Sequence, residues 1–431
     1  MTAGTSSAAL PEGTGRLGHD VAWMILGNVI YALSTGGMLV VLAQLGDPEV
    51  VGEFTWAVAL TMPFILLSRL SLREVLATDA DNRFWLRDYL VASGAATLFA
   101  ITAIWVVVAL VYSSGRLVLV MFVALGKVLE SFSFLLYGLR QQHGQIRRVG
   151  ISVTLRGITQ VVALTVGMAV TGSLLWGVGA AAIASGLMLF GVDVPGVWKL
   201  VPSSDSRKPK LGPAGRLILL TLPLGAGAVL LTSYQSLPRL MLERVAGTFE
   251  LGVFGVMGWV AIGAATVVHA AGQAAAPRMG RQFAAGDGAA LRGLLQRLLV
   301  FSGAFGLMSV GFALVCGRWF LGVAFGAEYA AHSGLLVLTM VSSGVAGMAI
   351  PLEFVLIAVR RVWAYSLSAS VLVVTAVVAG IALIPRFGMA GAAWVLIAAS
   401  CVRLIVSGLM VRSTVGGLLI GQKSSDGEEA R

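Results

Sequence analysis

Twelve stretches of this chain are apolar for long enough to cross a membrane, separated by short polar breaks. They run over 20–45, 50–72, 88–112, 116–138, 149–171 and 174–195, then 215–238, 249–275, 291–317, 330–358, 362–384 and 388–411. As helices rising about 1.5 Å per residue, each covers about 30 Å of hydrocarbon. Lipid offers no partner to a backbone amide, so the pattern predicts α-helices. Period-two alternation is absent, which argues against a barrel. The one long polar break is 199–216, KLVPSSDSRKPKLGPAGR. Its prolines, serines and like charges cannot pack a core, so it reads as a solvated linker. The expected organisation is a tail over 1–19, a six-helix lobe over 20–198, a basic linker over 199–214, a second six-helix lobe over 215–411 and a tail over 412–431.

The loops carry a charge bias. Taking alternate loops as one side, 21 Lys and Arg residues fall with the termini and the linker, against five (Arg116, Arg239, Arg244, Arg318 and Arg386) on the other. That asymmetry predicts cytoplasmic termini and a cytoplasmic linker in a multi-pass protein of the cell membrane. The opposite loops are short, so no sizeable extracellular domain is expected.

The halves echo each other. LAQLGDPEVVGEF over 42–54 matches LERVAGTFELGVF over 242–254, with Gly52 and Phe54 aligned to Gly252 and Phe254 at an offset of 200 residues. The last hairpins also match, around Gly177 and Gly388. Parallel repeats of six helices imply two lobes related by an axis along the membrane normal; similar composition of Gly/Ala-rich helices is the plainer reading.

Composition sharpens this. Mean hydropathy is +0.91, 58% of residues are hydrophobic and 12% charged, beyond what a soluble core needs. The net charge of +10 sits in short loops and not on one face, so it sets orientation and needs no nucleic acid. Cys316 and Cys401 give neither a disulfide framework nor metal-ligand spacing. The first 20 residues lack the basic and apolar regions of a cleaved signal. No nucleotide-binding loop, metalloprotease helix or nucleophile elbow is present, so neither an enzyme nor a cofactor or metal is expected.

With the segments at 45–54, 325–338 and 385–394 (PRFGMAGAAW) and the helix end VLIAVRR, the chain resembles polysaccharide flippases of the multidrug/oligosaccharidyl-lipid/polysaccharide superfamily, of the O-antigen (Wzx) type. The likeness extends over nearly the whole chain as helix order and loop positions. It implies an all-α polytopic fold of twelve helices in two MATE-like lobes with a central cavity. It also implies transport of a lipid-linked oligosaccharide, carried on polyprenyl pyrophosphate, by alternating access. Glycosyltransferases or a polymerase of the same pathway are the implied partners, besides the bilayer.

Charges inside hydrocarbon are costly and read as functional by default. Lys127 and Glu130 lie in the fourth span, Arg156 in the fifth, Arg69 near the end of the second. A diphosphate crossing the membrane needs fixed guanidinium and ammonium groups. Arg156 and Lys127 are therefore the expected phosphate ligands, with Arg69 or Arg73 as entry contacts. Asn28, Tyr31, Thr35, Gln160, Tyr234, Gln235 and Arg239 are the expected polar, sugar-facing set, and Glu130 and His269 the candidates for ion coupling. Plainer readings stand beside these. Lys127 and Glu130, three apart, would neutralise each other; Arg156 would snorkel; His269 would pack between helices; Glu353 would pair locally with Arg360 and Arg361. Pro63, Pro223 and Pro351 should kink their helices.

A drug/cation antiporter of the same superfamily is the first alternative, though it needs a carboxylate in the lobe helices and suits a basic cavity poorly. A glycosyltransferase or polymerase lacks the expected outer domain. A passive scaffold leaves the buried charges without a purpose.

Overall fold

The computed structural model describes residues 14–79, 84–112, 114–198, 200, 211–359 and 362–429, and it is helical throughout. The first half comprises α1 (Thr14–Leu45), α2 (Pro48–Arg69), α3 (Leu72–Thr78), α4 (Leu86–Val111), α5 (Ser114–Gln142), α6 (Ile146–Thr171) and α7 (Leu174–Met188). A π-helical turn, Leu189–Asp193, and α8 (Val194–Trp198) complete it. The second comprises α9 (Leu211–Ala246), α10 (Thr248–Ala284), α11 (Gly288–Ala324), α12 (Ala327–Ala330), α13 (Ser333–Ala358) and α14 (Val362–Glu429). Most of the expected basic linker, 199 and 201–210, lies outside the described residues, as do Arg360 and Arg361.

Among the described residues ten helices are long and apolar enough to span a bilayer, or eleven with the bent pair Gly212–Pro223 and Gly225–Ala246 taken as one. The twelve expected spans are not recovered one for one as separate helices. The seventh is bent by 42° at Pro223, where the ring removes an amide and clashes with the preceding turn. The eleventh and twelfth form one unbroken run that folds back at Gly388, whose φ of 54° and ψ of −129° are not helical. A Cβ on Gly391 would lie 2.3 Å from the Leu383 carbonyl, eight residues back, a proximity no straight helix permits. Pro63 and Pro351 sit inside α2 and α13 without breaking them.

Call the membrane side on which α1 begins the basic side and the other the far side. On the far side the two halves are packed together. The aligned glycines of the sequence echo touch: a Cβ on Gly52 would stand 1.8 Å from the Thr248 carbonyl, and one on Gly252 would stand 1.8 Å from the Pro48 carbonyl. Each glycine faces the backbone four residues before the other, so the contact is reciprocal. Arg116 on α5 pairs with Glu243 on α9 and lies 5.0 Å over the Trp56 ring. The Arg244 guanidinium lies 5.2 Å over Tyr112, and the Gln44 amide donates to the Ala324 carbonyl at 3.1 Å. One step deeper, Gly36 on α1 is pressed by Trp259 on α10.

On the basic side the halves are joined differently. The first arm of α9 buries Ala214 and Leu217 among Leu70, Leu72, Leu76 and Tyr89, inside the first half's own apolar cluster. A separate cluster around Met279, Leu291 and Val355 serves the second half. Between them the basic-side parts of α1 and α10 present exposed polar residues, Asn28 on one and Thr266, His269 and Gln273 on the other.

Candidate functional site

The cations of the first half separate into two groups that do different work. One is sealed. Arg156 is fully buried and bonds Asp193 at 2.8 Å, with Asp193 also fully buried at the end of the π-turn. Arg156 further donates to Ser133 and to the Tyr137 hydroxyl, Ser152 donates to Asp193, and Arg140 adds its guanidinium 3.9 Å from the same carboxylate. One extra backbone residue in the π-turn rotates the helix register, which turns Asp193 inward. A buried guanidinium without this acid would be prohibitively costly. Arg156 therefore neither snorkels nor reaches a cavity; it crosslinks α5, α6 and the end of α7. Gln160 belongs with it, buried and bonded to Ser185 at 2.8 Å. Both leave the cavity-facing set expected of them.

The other group is open. Arg69 and Lys127 flank Glu130, and Arg69 and Arg73 lie against the Phe134 ring. Arg69 bonds Glu130 at 3.0 Å and Ser131 at 2.9 Å, and Lys127 bonds the second oxygen of Glu130 at 3.0 Å. The guanidiniums of Arg69 and Arg73 lie 4.8 and 5.6 Å from the Phe134 centroid. Arg73 bonds the Gln141 amide oxygen at 3.4 Å, and the Tyr31 ring meets Phe134 edge-on at 6.3 Å. The side chains of Arg69 and Lys127 keep 23% and 24% of their surface exposed, while Glu130 keeps 3%. Two cations, Arg69 and Lys127, thus share one buried acid, and Arg73 lies beside them against Phe134. A cavity of about 220 Å³ opens beside Arg69, Arg73, Ser93, Ser131 and Phe134, with Glu74 at its rim. The i,i+3 pairing of Lys127 and Glu130 is present, but it does not neutralise the group, because Arg69 shares the same carboxylate.

Two of the polar residues of α1 are on the surface, while Tyr31 packs on Phe134. Asn28 is exposed, and Thr35 is exposed with its hydroxyl donating to the Tyr31 carbonyl at 3.0 Å. In the second half, Tyr234, Gln235 and Arg239 come together around a smaller cavity of about 60 Å³ with Thr339, Ser342 and Ser343. His269 meets the Phe354 ring edge-on at 5.3 Å. Glu353 does not depend on Arg360 or Arg361 for its charge partner: Arg403, 50 residues away, binds it through both oxygens, at 2.6 and 2.5 Å. Asp193 and Arg140 were missed by sequence reasoning. Asp193 lies in an apolar run, which is the same signal that drew attention to Lys127 and Arg156. Among the described residues no cluster of His, Cys, Asp and Glu is arranged to hold a metal ion.

No family model matches the chain. The chain is 25% identical over 321 residues to the capsular polysaccharide biosynthesis protein CapF of Staphylococcus aureus, covering 73% of this chain and 79% of that protein. Among solved structures it is similar to the MATE multidrug transporter DinF-BH, at a TM-score of 0.67 and 14% identity over 95% and 98% of the two chains. A mutant of the Vibrio cholerae MATE transporter VcmN gives 0.64 and 12% over 94% and 97%. A MATE family transporter of the MOP superfamily, in an outward-facing conformation, gives 0.64 and 14% over 92% and 94%, and in an inward-facing one 0.56. Those scores average over whole chains; which side is closed in this molecule is read from the contacts of Gly52, Gly252 and Arg116.

Proposed function

We infer that the chain, a multi-pass membrane protein with the fold of the MOP-superfamily transporters, is a polysaccharide flippase of that superfamily, a reading that the capsular relative supports. We propose that its cargo is an oligosaccharide on polyprenyl pyrophosphate, moved from the cytoplasmic to the outer leaflet of the cell membrane by alternating access. In this reading the basic side is the cytoplasm, which the loop charges support, and the packed far side fits a state that receives cargo. The observation that carries the reading is the open group of three cations, Arg69 and Lys127 on the buried Glu130 and Arg73 beside them, at a cavity that also holds Glu74. A residual positive charge at the edge of the hydrocarbon offsets the desolvation of a diphosphate. Arg69 and Arg73 take the phosphoryl oxygens, Glu130 and Phe134 hold the cations in place, and Lys127 completes the charge. Arg156 has a supporting role in this scheme. The lipid tail stays in the membrane throughout. A cationic drug as cargo is disfavoured by the same net charge.

Complementation of a flippase-null strain tests this. Arg69→Ala combined with Arg73→Ala should abolish surface polysaccharide at unchanged protein level. Normal export by that variant would refute the phosphate assignment, and labelling of a cysteine at position 205 from outside intact cells would overturn the orientation.

A further inference from the structure

The second half holds a cation with no acidic partner among the described residues. Among the described residues Arg239 forms no ion pair, and the one ionisable side chain acting on it is the Tyr234 phenol. Its guanidinium lies along α10 at Gly258, where a Cβ would come within 3.3 Å of it; the glycine leaves the wall smooth enough for the side chain to lie there. The surrounding groups are hydrogen-bonding and neutral. The Gln235 amide donates to the Tyr234 hydroxyl at 2.8 Å. Thr339 and Ser343 spend their protons on helix carbonyls, at 2.9 and 2.7 Å, which leaves their oxygens free to accept. An unpaired guanidinium among hydroxyl acceptors and an amide suits a ligand with hydroxyl donors and a carboxylate, since Arg reads a planar carboxylate with two parallel bonds.

Depth decides which part of the cargo meets it. The far-side ends of α2, α9 and α10 lie together at Pro48, Ala246 and Thr248. Arg239 is seven residues from Ala246, about 10 Å below that level, and Arg69 is 21 residues from Pro48, about 31 Å below. The two sites are therefore separated by about 20 Å along the helices. With the diphosphate at Arg69 and Arg73, the group reaching Arg239 belongs to the glycan. We propose that this pocket selects an acidic sugar, a hexuronate or similar carboxylate-bearing residue, within the cargo. The inference rests on the flippase reading above and adds the substrate class.

The test is thermal stabilisation of the purified full-length protein in detergent, with glucuronate, glucose and inorganic pyrophosphate as separate probes at matched ionic strength. Glucuronate should bind wild type about tenfold more tightly than glucose, the worth of a charge-assisted pair. Arg239→Gln should remove that preference and Arg239→Lys should keep part of it, with unliganded midpoints reporting that both fold. The pyrophosphate response should survive Arg239→Gln and disappear in Arg69→Gln/Arg73→Gln. Equal binding of glucuronate and glucose by wild type, or an unchanged preference in Arg239→Gln, overturns the proposal. So does loss of the pyrophosphate response in Arg239→Gln, which assigns Arg239 to the diphosphate. If pyrophosphate fails to stabilise wild type, the diphosphate reading fails alone, and the glucuronate comparison still decides this one.

Discussion

Replacing Gly52 by Ala should push the two halves apart on the far side. The new Cβ would stand 1.8 Å from the Thr248 carbonyl, where ordinary contact begins at 3.4 Å. The opposing atom is backbone and cannot swing away, so α2 and α10 must separate by about 1.5 Å or lose their packing. Overpacking of this kind costs about 1–3 kcal/mol, and here it falls on the far-side-closed state alone. That shifts the balance between closed and open states roughly 5- to 150-fold. Gly252→Ala should act equally, because its Cβ meets the Pro48 carbonyl at the same 1.8 Å. The assay is the rate at which a membrane-impermeant maleimide labels a single cysteine placed at Thr55, a buried position against Gly255, after Cys316 and Cys401 have been replaced. Both variants should label at least about fivefold faster than the parent. Gly263→Ala, on α10 but with nothing within 4 Å of its Cβ, should leave the rate unchanged. Unchanged labelling in both folded variants, or a rise in the control as large as theirs, would refute the assignment of this crossing as the closed gate.

Two further outcomes follow from the buried charges. Asp193→Asn leaves Arg156 buried without its acid and should cost about 3–5 kcal/mol, read as a lower unfolding midpoint in detergent; Asp193→Leu with Arg156→Met should recover most of the loss. Arg403→Met strands Glu353 and should destabilise by a similar about 3–5 kcal/mol, whereas Arg403→Met with Glu353→Leu should not, and a double variant as unstable as the single would show that the pair holds more than itself.

The helical spans could be read from residues alone because lipid leaves the backbone one way to satisfy itself. The Gly52–Gly252 echo was legible too, since equivalent close crossings demand the same missing side chain. Charge partners were not. Arg156 and Asp193 are 37 positions apart, Arg69 and Glu130 61, and Arg403 and Glu353 50, separations at which no helical period operates. Hence Arg156 read as a ligand, when its place in the structure is to be neutralised. The fold-back at Gly388 was legible for a different reason: Pro385 and Arg386 interrupt the apolar run beside it, at the break between the expected spans 362–384 and 388–411.

The first arm of α9 changes what counts as the moving part. By chain order it opens the second half, but its Ala214 and Leu217 are set into the first. On the basic side the rest of α9 leaves that anchor through the bend at Pro223, so in the alternating-access reading a swing of the rear bundle has a fixed pivot there and a limited arc. The mechanical frontier of that motion thus falls inside a helix, nine residues past the end of the 199–214 linker at which the sequence divides.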